Sequence, residues 1–260
     1  MKGLAGKKAL VTGASSGIGA AVARRLASEG CAVAINYRSA LEAAEASHVL
    51  SAIDGRGMIV QADVAEESEV QAMTAMVLDT FGRLDILINN AGIQLPAPSH
   101  EVEMKDFDRV LGVDLRGAYL CCRAAIRHFL SRPGGGAIVN NTSVHEIIPK
   151  PGYLSYAIAK SGMEGLTRTL ALEYAALGIR VNSVGPGATI TPINAIWIDD
   201  EAARRVVESH IPMGRAASAD EMAAVFAFLA SEEASYITGQ TLFACGGLTL
   251  YPEFRTNWSS

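Results

Sequence analysis

The sequence contains a series of short apolar runs in which hydrophobic and polar residues do not alternate. Strands buried on both faces of a parallel sheet have this pattern, whereas strands with one face in water alternate. The runs therefore predict strands of a parallel sheet, at Lys8–Thr12, Cys31–Asn36, Gly57–Gln61, Leu84–Asn89, Gly136–Asn140, Ile179–Val184 and Thr241–Phe243.

Segments with helical periodicity separate these runs. They are Ile18–Ser28, Leu41–Ile53, Glu67–Phe81, Met104–Leu130 with an interruption near Gly112, Tyr153–Ala176 and Asp220–Ala230. Strand and helix in series imply right-handed crossovers. We therefore predict an α/β fold, a doubly wound Rossmann-type parallel sheet of about seven strands with helices on both faces, forming a single domain over residues 1–260. Ligands in such sheets bind beyond the carboxyl ends of the strands.

Composition narrows the function classes. The 260 residues are 50% hydrophobic and carry a net charge of −5, with basic residues scattered along the chain, so we expect no nucleic-acid partner. The polar start predicts no signal peptide, and no apolar run approaches the roughly 20 residues that cross a bilayer. Four cysteines without a CxxC pair predict reduced thiols, no metal site and a cytoplasmic protein.

A glycine-rich segment, Thr12-Gly13-Ala14-Ser15-Ser16-Gly17-Ile18-Gly19, joins the first strand to the first helix. Gly13 permits a tight turn, Gly17 lets the backbone approach a pyrophosphate, and Gly19 allows close packing of helix on strand. The following helix offers free N–H groups to phosphate oxygens. The segment predicts a dinucleotide site.

A second pattern concerns proton transfer. Tyr156 and Lys160 lie four residues apart, so a helix places them on one face. A Lys ammonium favours the phenolate form of a neighbouring Tyr, which can then exchange a proton with an alcohol or carbonyl. Ser143 follows the fifth strand and can bind the substrate oxygen. Together with the glycine segment, these residues predict hydride transfer between an alcohol or carbonyl and a nicotinamide.

The chain resembles the short-chain dehydrogenase/reductase family over essentially its whole length. The resemblance rests on TGxxxGxG at Thr12–Gly19, Asn89-Asn90-Ala91-Gly92, Ser143, the Tyr156–Lys160 pair, and Pro186-Gly187 with Thr191. It implies that Asn90 supports the central strands, Thr191 reaches the nicotinamide and Lys160 also grips its ribose. The implied cofactor-binding residues are Gly13, Ser15, Ser16, Gly17, Ile18, Gly19, Arg38, Ser39, Asp63, Val64, Asn90, Ala91, Tyr156, Lys160, Pro186, Gly187, Thr189 and Thr191.

Two of these residues have alternative interpretations. Asp63 resembles an adenine contact, but with Glu66 three residues later it could also cap a helix. The second strand ends in Asn36-Tyr37-Arg38-Ser39, a run without a carboxylate, where Arg38 can pair with a 2′-phosphate and Ser39 can donate a hydrogen bond. We therefore expect NADP to be accepted, and NAD as well. The alternative is that Arg38 is a solvated surface charge.

The expected catalytic residues are Ser143, Tyr156, Lys160 and Asp114. The family usually has Asn in an Asn-Leu-x-Gly run, where it holds a water in the proton relay from the Lys. This chain has Asp114-Leu115-Arg116-Gly117 instead. A carboxylate there can bind both a water and the Lys, but its charge is expected to raise the pKa of the Lys and change the pH profile.

Within the family, several C-terminal segments resemble the bacterial glucose 1-dehydrogenases, which oxidise the anomeric hydroxyl of β-D-glucose to the lactone. The expected substrate-binding residues are Gln94, Ser143, His145, Tyr156 and Asn194, and residues 192–210 are expected to form a mobile cap. Gln94 stands where those enzymes carry Glu, and Cys245 stands where the family usually has Asp in an Asp-Gly-Gly run. His145 could instead be a loop His satisfied by backbone. Two alternatives remain: an NADPH-dependent carbonyl reductase, such as a 3-oxoacyl-carrier-protein reductase, or a non-catalytic nucleotide-binding protein.

The family resemblance also implies a homotetramer, assembled through the helical regions Met104–Leu130 and Tyr153–Ala176. Small residues at Ala124, Ala125, Gly162 and Gly165 would let helices approach closely, or would face the parent sheet. The tail from Leu248 to Phe254 is expected to cover a neighbouring subunit's site.

Overall fold

The protein is described by a computed structural model that covers residues 1–54 and 57–250. Seven parallel strands form one sheet: β1 (Lys8–Val11), β2 (Ala32–Tyr37), β3 (Gly57–Gln61), β4 (Ile86–Asn89), β5 (Gly136–Asn141), β6 (Ile179–Pro186) and β9 (Thr241–Ala244). Their order in the sheet is β3-β2-β1-β4-β5-β6-β9, and the predicted doubly wound α/β fold is confirmed. Two further short strands, β7 (Thr189–Ile190) and β8 (Ala217–Ser218), pair with each other outside this sheet.

Helices cover both faces of the sheet. They are α1 (Gly17–Ser28), α2 (Ala43–Ser51), α3 (Glu67–Phe81), α4 (Met104–Leu111), α5 (Ala118–Leu130), α6 (Leu154–Tyr174), α7 (Ala195–Ile198), α8 (Glu201–Ser209) and α9 (Ala219–Ala230). The helix predicted over residues 41–53 covers only Ala43–Ser51, because the chain first forms a 3₁₀ turn at Ala40–Glu42. Strand β6 is longer than predicted, since its register with β9 continues to the pair Pro186–Ala244.

Two hydrophobic cores explain the absence of alternation in the strands. Successive strand residues face opposite sides: Val11 and Ile35 pack in the core under α1 and α9, whereas Leu10 and Ala34 pack in the core under α3 and α5. Both faces of the sheet are covered by helices and shielded from water, so residues that point to either face are favoured to be apolar.

The region 104–130 is continuous but not uniformly α-helical. Gly112–Gly117 forms a π-helical turn between α4 and α5, in place of the predicted interruption at Gly112. Such turns add one residue to a helical circuit and are frequent at functional sites. This turn carries Asp114, whose side chain is fully buried.

Residues 192–210, the predicted cap, form a 3₁₀ turn (Pro192–Asn194) followed by α7 and α8. Asp200 is the N-cap of α8, because its Oδ1 accepts hydrogen bonds from the N–H groups of Ala202 and Ala203 at 2.8 and 3.1 Å. The mobility of this cap stays a prediction. Among residues 1–54 and 57–250, no helix combines the length and apolarity needed to cross a membrane.

Candidate active site

A cavity of about 1220 Å³ lies at the carboxyl edge of the sheet. This is the edge at which the sequence predicts ligand binding. Most of the predicted site residues line it: Gly13, Ser15, Ser16, Gly17, Ile18, Arg38, Asp63, Val64, Asn90, Ala91, Gln94, Asp114, Ser143, His145, Tyr156, Lys160, Pro186, Gly187, Thr189, Thr191 and Asn194. Gly19 and Ser39 are not in its wall.

The glycine segment packs closely against the loop that follows β4. Gly13 has φ 59°, and a Cβ there would lie 2.8 Å from Ala91 Cα. Helix α1 begins at Gly17, and the side chain of its N-cap, Ser16, makes no capping hydrogen bond. The first N–H groups of α1 therefore remain available to an anion at the cavity wall.

Asn90 and Thr12 hold this wall to the neighbouring strand. Asn90 Nδ2 donates to the carbonyl oxygens of Thr12 and Gly13 at 3.0 and 2.9 Å. Thr12 Oγ1 accepts from the N–H groups of Asn90 and Ala91. The contacts agree with the supporting role that the resemblance implies for Asn90.

Asn36, at the end of β2, is a residue of the cavity wall that was not predicted. Its side chain is buried, its Oδ1 accepts the N–H of Gly13 at 3.1 Å, and its Nδ2 donates to the carbonyl of Ala62 at 3.1 Å. In the sequence, Asn36 is the polar residue that ends the apolar run from Cys31, and this position could have indicated a structural role. Asn36 ties the glycine turn to β3.

Asp63 does not cap helix α3, which begins at Glu67 after Glu66 as N-cap. Its Oδ1 accepts the N–H of Ala65 at 3.0 Å, and its Oδ2 accepts from Arg109 Nη2 at 2.8 Å. Burial raises the pKa of Asp63, but these two hydrogen bonds outweigh burial and hold the pKa below its usual value. Arg109 also lines the cavity and was missed, because it arrives from α4, 46 positions away.

Arg38 is half exposed and has an acidic partner. Glu42 Oε2 accepts the backbone N–H of Arg38 at 3.0 Å, and Glu42 Oε1 lies 3.5 Å from Arg38 Nη2. Both residues line the cavity. The end of β2 therefore has a carboxylate that the run Asn36–Ser39 lacks.

Tyr156 and Lys160 lie one turn apart on α6, as predicted. Lys160 is buried. Its Nζ donates to the carbonyl of Asn141 at 3.0 Å and lies 3.1 Å from Asp114 Oδ2 and 5.3 Å from the centroid of the Tyr156 ring. The ammonium thus lies between a carboxylate and the phenol.

Asp114 is held by backbone as well as by Lys160. Its Oδ1 accepts the N–H of Ile93 at 2.8 Å, which ties the π-helical turn to the loop after β4. Burial raises the pKa of Asp114, and the nearby Lys160 opposes that shift. Burial lowers the pKa of Lys160, but Asp114 and Tyr156 outweigh it, so the net shift is upward.

Ser143 caps a short helical turn and also lines the cavity. It is the N-cap of the 3₁₀ turn Val144–Glu146, since its Oγ accepts the N–H of His145 at 3.1 Å. The same hydroxyl lies in the cavity wall and keeps its proton for donation.

At the substrate end, His145 Nδ1 lies 2.9 Å from the carbonyl oxygen of Ile148. A carbonyl only accepts, so Nδ1 carries the proton and Nε2 is an unprotonated acceptor. Burial also lowers the pKa of His145. Asn194 Nδ2 donates to the carbonyl of Thr189 at 2.9 Å, which leaves the Asn194 carbonyl as its acceptor.

Comparison with known proteins places these features in a family. The profile described as "Enoyl-(Acyl carrier protein) reductase" matches residues 13–249. Glucose 1-dehydrogenase of Gluconobacter oxydans (strain 621H) is 48% identical over 98% of this chain and 97% of its own. 3beta-hydroxysteroid dehydrogenase 1 of Eggerthella lenta is also 48% identical, over 97% of each chain.

Solved structures give the same result. The crystal structure of a gluconate 5-dehydrogenase from Burkholderia cenocepacia J2315, in complex with NADP and tartrate, is similar with a TM-score of 0.89 and 35% identity, covering 95% of this chain and 97% of the other. The interpretation as a non-catalytic nucleotide binder is therefore set aside. The chain belongs to the short-chain dehydrogenase/reductase family and is an NAD(P)-dependent oxidoreductase.

Proposed function

We propose that the enzyme oxidises the anomeric hydroxyl of an aldose, such as β-D-glucose, to the lactone. The observation that carries the proposal is the acceptor state of His145 Nε2, on a ring whose centroid is 6.3 Å from that of Tyr156. An acceptor nitrogen on a residue of the cavity wall favours a substrate with a further hydroxyl near the reacting carbon, because a polar group left unmatched on burial loses free energy.

We assign the reaction steps to residues of the cavity. Ser143 donates a hydrogen bond to the substrate oxygen and fixes its position. The ammonium of Lys160 stabilises the phenolate form of Tyr156, which takes the hydroxyl proton and becomes the phenol. Asp114 holds Lys160 at the carbonyl of Asn141, so that the ammonium stays beside the phenol.

The nicotinamide cofactor supplies the hydride acceptor when it is bound. We infer that the glycine segment and the start of α1 hold its phosphates, that Asp63 and Val64 contact the adenine, and that Thr189 and Thr191 lie at the nicotinamide end. The start of α1, where the Ser16 side chain makes no capping hydrogen bond, supports this arrangement. NADP and NAD are both proposed as cofactors.

The names of similar proteins agree with a polyol substrate, since one is a glucose 1-dehydrogenase and another a gluconate 5-dehydrogenase. A second candidate has its own support. The cavity wall also carries apolar side chains, which suit the alicyclic alcohol that a hydroxysteroid presents: Ile93, Ile148, Ile193, Trp197, Leu248 and Leu250.

The 3-oxoacyl-carrier-protein alternative has less support. It needs basic side chains at the cleft for an acidic carrier, but Arg116 donates to the carbonyl of Ala65 and Arg123 is paired with Glu67. Their charges are already engaged within the chain.

Absorbance at 340 nm tests the candidates in parallel. Purified protein is mixed with NAD⁺ or NADP⁺ and with D-glucose, other aldoses, gluconate or a 3β-hydroxysteroid. We expect reduction with an aldose and its loss in the Tyr156→Phe variant. Reduction with the steroid alone would replace the aldose assignment with the second candidate.

Assembly and location are also proposals. We propose a cytoplasmic homotetramer that uses an outward face of α6, on which Leu154, Ile158 and Leu172 are exposed. Gly165 faces open space, in support of close helix approach, whereas a Cβ on Gly162 would meet Leu115 of the same chain at 2.8 Å. Ala125 is buried in the chain's own core.

Sedimentation at micromolar concentration tests the assembly. We expect a tetramer, and we expect Leu172→Glu to dissociate it, because the substitution places a charge within an apolar contact. A monomeric wild-type protein would contradict the proposal. The tail to Phe254, expected to cover a neighbour's site, lies outside the described residues from position 251 onward.

A further inference from the structure

The charges of the cavity wall are balanced except at Lys150. Within residues 1–54 and 57–250, the Lys and Arg residues of the wall are Arg38, Arg109, Lys150 and Lys160, and its acidic residues are Glu42, Asp63 and Asp114. Each acidic residue is paired with one of these cations, as Arg38–Glu42, Arg109–Asp63 and Lys160–Asp114. Lys150 is the remaining cation, and in the part of the chain that the structure describes no carboxylate lies within ion-pairing distance of its ammonium.

Lys150 lies at the substrate end of the cavity. Burial lowers the pKa of His145, and the positive charge of Lys150 is close enough to lower it further. The centroid of the His145 ring is 6.3 Å from that of Tyr156. Lys150 is exposed, whereas His145 and Tyr156 are only partly so, which places the ammonium toward the opening of the cavity.

The loop that carries Lys150 has little backbone freedom. Pro149 and Pro151 flank Lys150; each proline fixes its own φ, and a residue before proline is held in extended backbone. The carbonyl of Lys150 accepts the N–H of Tyr153 at 3.2 Å. Lys150 Nζ lies over the Tyr153 ring, 3.7 Å from its centroid. This contact restrains the ammonium without neutralising its charge.

We propose that Lys150 is an anion subsite, and that the preferred substrate is an aldose with a carboxylate or phosphate at the end of the molecule far from the anomeric carbon. The inference rests on the proposed oxidation of an aldose and names the class of aldose. The reaction is unchanged: the anomeric carbon gives a hydride to the nicotinamide, and the hydroxyl proton passes to the phenolate of Tyr156. The anionic group remains intact in the lactone.

An anionic oxygen gains more from Lys150 than a hydroxyl does. Hydrogen bonds between an ammonium and an anionic oxygen are roughly twice as strong as those between neutral groups. The neighbouring polar side chains of the wall, Gln94 and Asn194, are neutral amides and do not repel an anion. Because Lys150 is exposed, water and salt weaken the attraction, and we expect an effect of about tenfold on the use of an anionic aldose.

The test measures steady-state oxidation of D-glucose, D-glucuronate and D-glucose 6-phosphate at 340 nm by the whole protein. We expect a higher kcat/KM for at least one of the two anionic aldoses than for D-glucose, and the comparison of these two identifies the anionic group. Lys150→Met should lower kcat/KM for the preferred anionic aldose about tenfold, through KM, and leave D-glucose within about twofold. Lys150→Arg keeps the charge and should keep most of the preference. Added salt should reduce the preference in the wild type more than in Lys150→Met.

The matched control is Lys105→Met, because Lys105 is exposed on α4, does not line the cavity, and its substitution changes the net charge by the same amount. It should leave all three kcat/KM values unchanged. Oxidation of D-glucose without preference for either anionic aldose, or equal changes for neutral and anionic aldoses in Lys150→Met, would overturn the anion subsite while the aldose assignment stands. Failure to oxidise any aldose, neutral or anionic, would overturn the proposed function and the subsite with it.

Discussion

Lys160 Nζ lies 3.1 Å from Asp114 Oδ2, and both side chains are almost completely buried. Burial lowers the pKa of Lys160, but the negative charge of Asp114 helps to raise it above its usual value. In Asp114→Asn that charge is absent, while the amide oxygen can still accept the N–H of Ile93. We expect the alkaline limb of the kcat/KM profile for alcohol oxidation to move about one pH unit lower, because Lys160 then loses its proton at a lower pH.

The pH–rate profile of Asp108→Asn is the matched control, because Asp108 is an exposed acid on α4, one turn before the π-helical turn. Its profile should match that of the wild type. An unchanged profile in Asp114→Asn would mean that Asp114 only positions Lys160.

Substitution of Tyr156 should separate chemistry from binding. Without its hydroxyl the proton of the alcohol loses its assigned acceptor, so Tyr156→Phe should lower kcat by a factor of about 10² to 10⁴. Calorimetry should find nucleotide affinity reduced only slightly. Tyr153→Phe, which removes a hydroxyl three residues earlier, should keep kcat; equal losses in both variants would contradict the assignment.

Gly19 is a position where a methyl group has no space. A Cβ there would lie 2.4 Å from both Asn90 Nδ2 and the carbonyl oxygen of Gly13. Because the Gly13 carbonyl belongs to backbone, Gly19→Ala should displace the glycine turn, weaken nucleotide binding at least about tenfold and destabilise the fold by about 1–3 kcal/mol. Calorimetry and urea unfolding measure the two effects.

Gly112→Ala provides the comparison, since Gly112 has helical backbone and its Cβ would meet only Ala65 Cβ, at 3.8 Å. We expect its unfolding free energy to stay the same or to rise by about 0.5–1 kcal/mol. If Gly19→Ala behaved like Gly112→Ala, the close packing would not be needed for binding.

His128 should make stability depend on pH. Its Nε2 accepts the N–H of Leu84 at 3.0 Å and Nε of Arg132 at 3.1 Å, so the folded state needs this nitrogen unprotonated. Burial and then the charge of Arg132 lower the pKa of His128 in the folded state. Between the lowered pKa of the folded state and the ordinary value near 6.5, the unfolded chain binds more protons at His128 than the folded chain does. The contribution of His128 to the free energy of unfolding is therefore complete above pH 6.5 and is lost as the pH falls toward the folded-state pKa.

Urea unfolding from pH 8 to pH 5 measures this effect. We expect the wild type to lose more stability than His128→Gln, in which an amide oxygen can replace Nε2 as acceptor without titrating. Equal pH slopes in the two proteins would exclude His128 as the cause.

The predictable part of the fold came from periodicity. Apolar runs such as Leu84–Asn89 fixed strand positions because both faces of the sheet are covered. The position of the site followed from topology, since the loops after Val11 and Asn141 meet at one edge. Tyr156 and Lys160 were predictable because one helical turn determines their relationship.

The missed features depend on contacts between distant or unusual segments. Arg109 reaches Asp63 from α4, and nothing local to either residue indicates that contact. Glu42 was visible four residues after Arg38, but a 3₁₀ turn rather than the predicted helix start brings it back to the guanidinium. The π-helical turn that contains Asp114 has one residue more per turn than an α-helix. The spacing of apolar residues in the sequence does not reveal this single extra residue.

The amide of Asn90 joins the two halves of the sheet at the point where the strand order reverses. Its Nδ2 donates to Thr12 and Gly13, and its Oδ1 accepts from Asn141 Nδ2 at 2.9 Å. The nucleotide contacts proposed before β4 and the reacting groups proposed after β4 are therefore both bonded to the side chain of Asn90. A recombinant chain can take the segment before β4 from one parent enzyme and the segment after β4 from another. We expect the two segments to stay aligned when Asn90 and its hydrogen-bond partners are kept. Cofactor preference and alcohol preference should then be exchangeable separately.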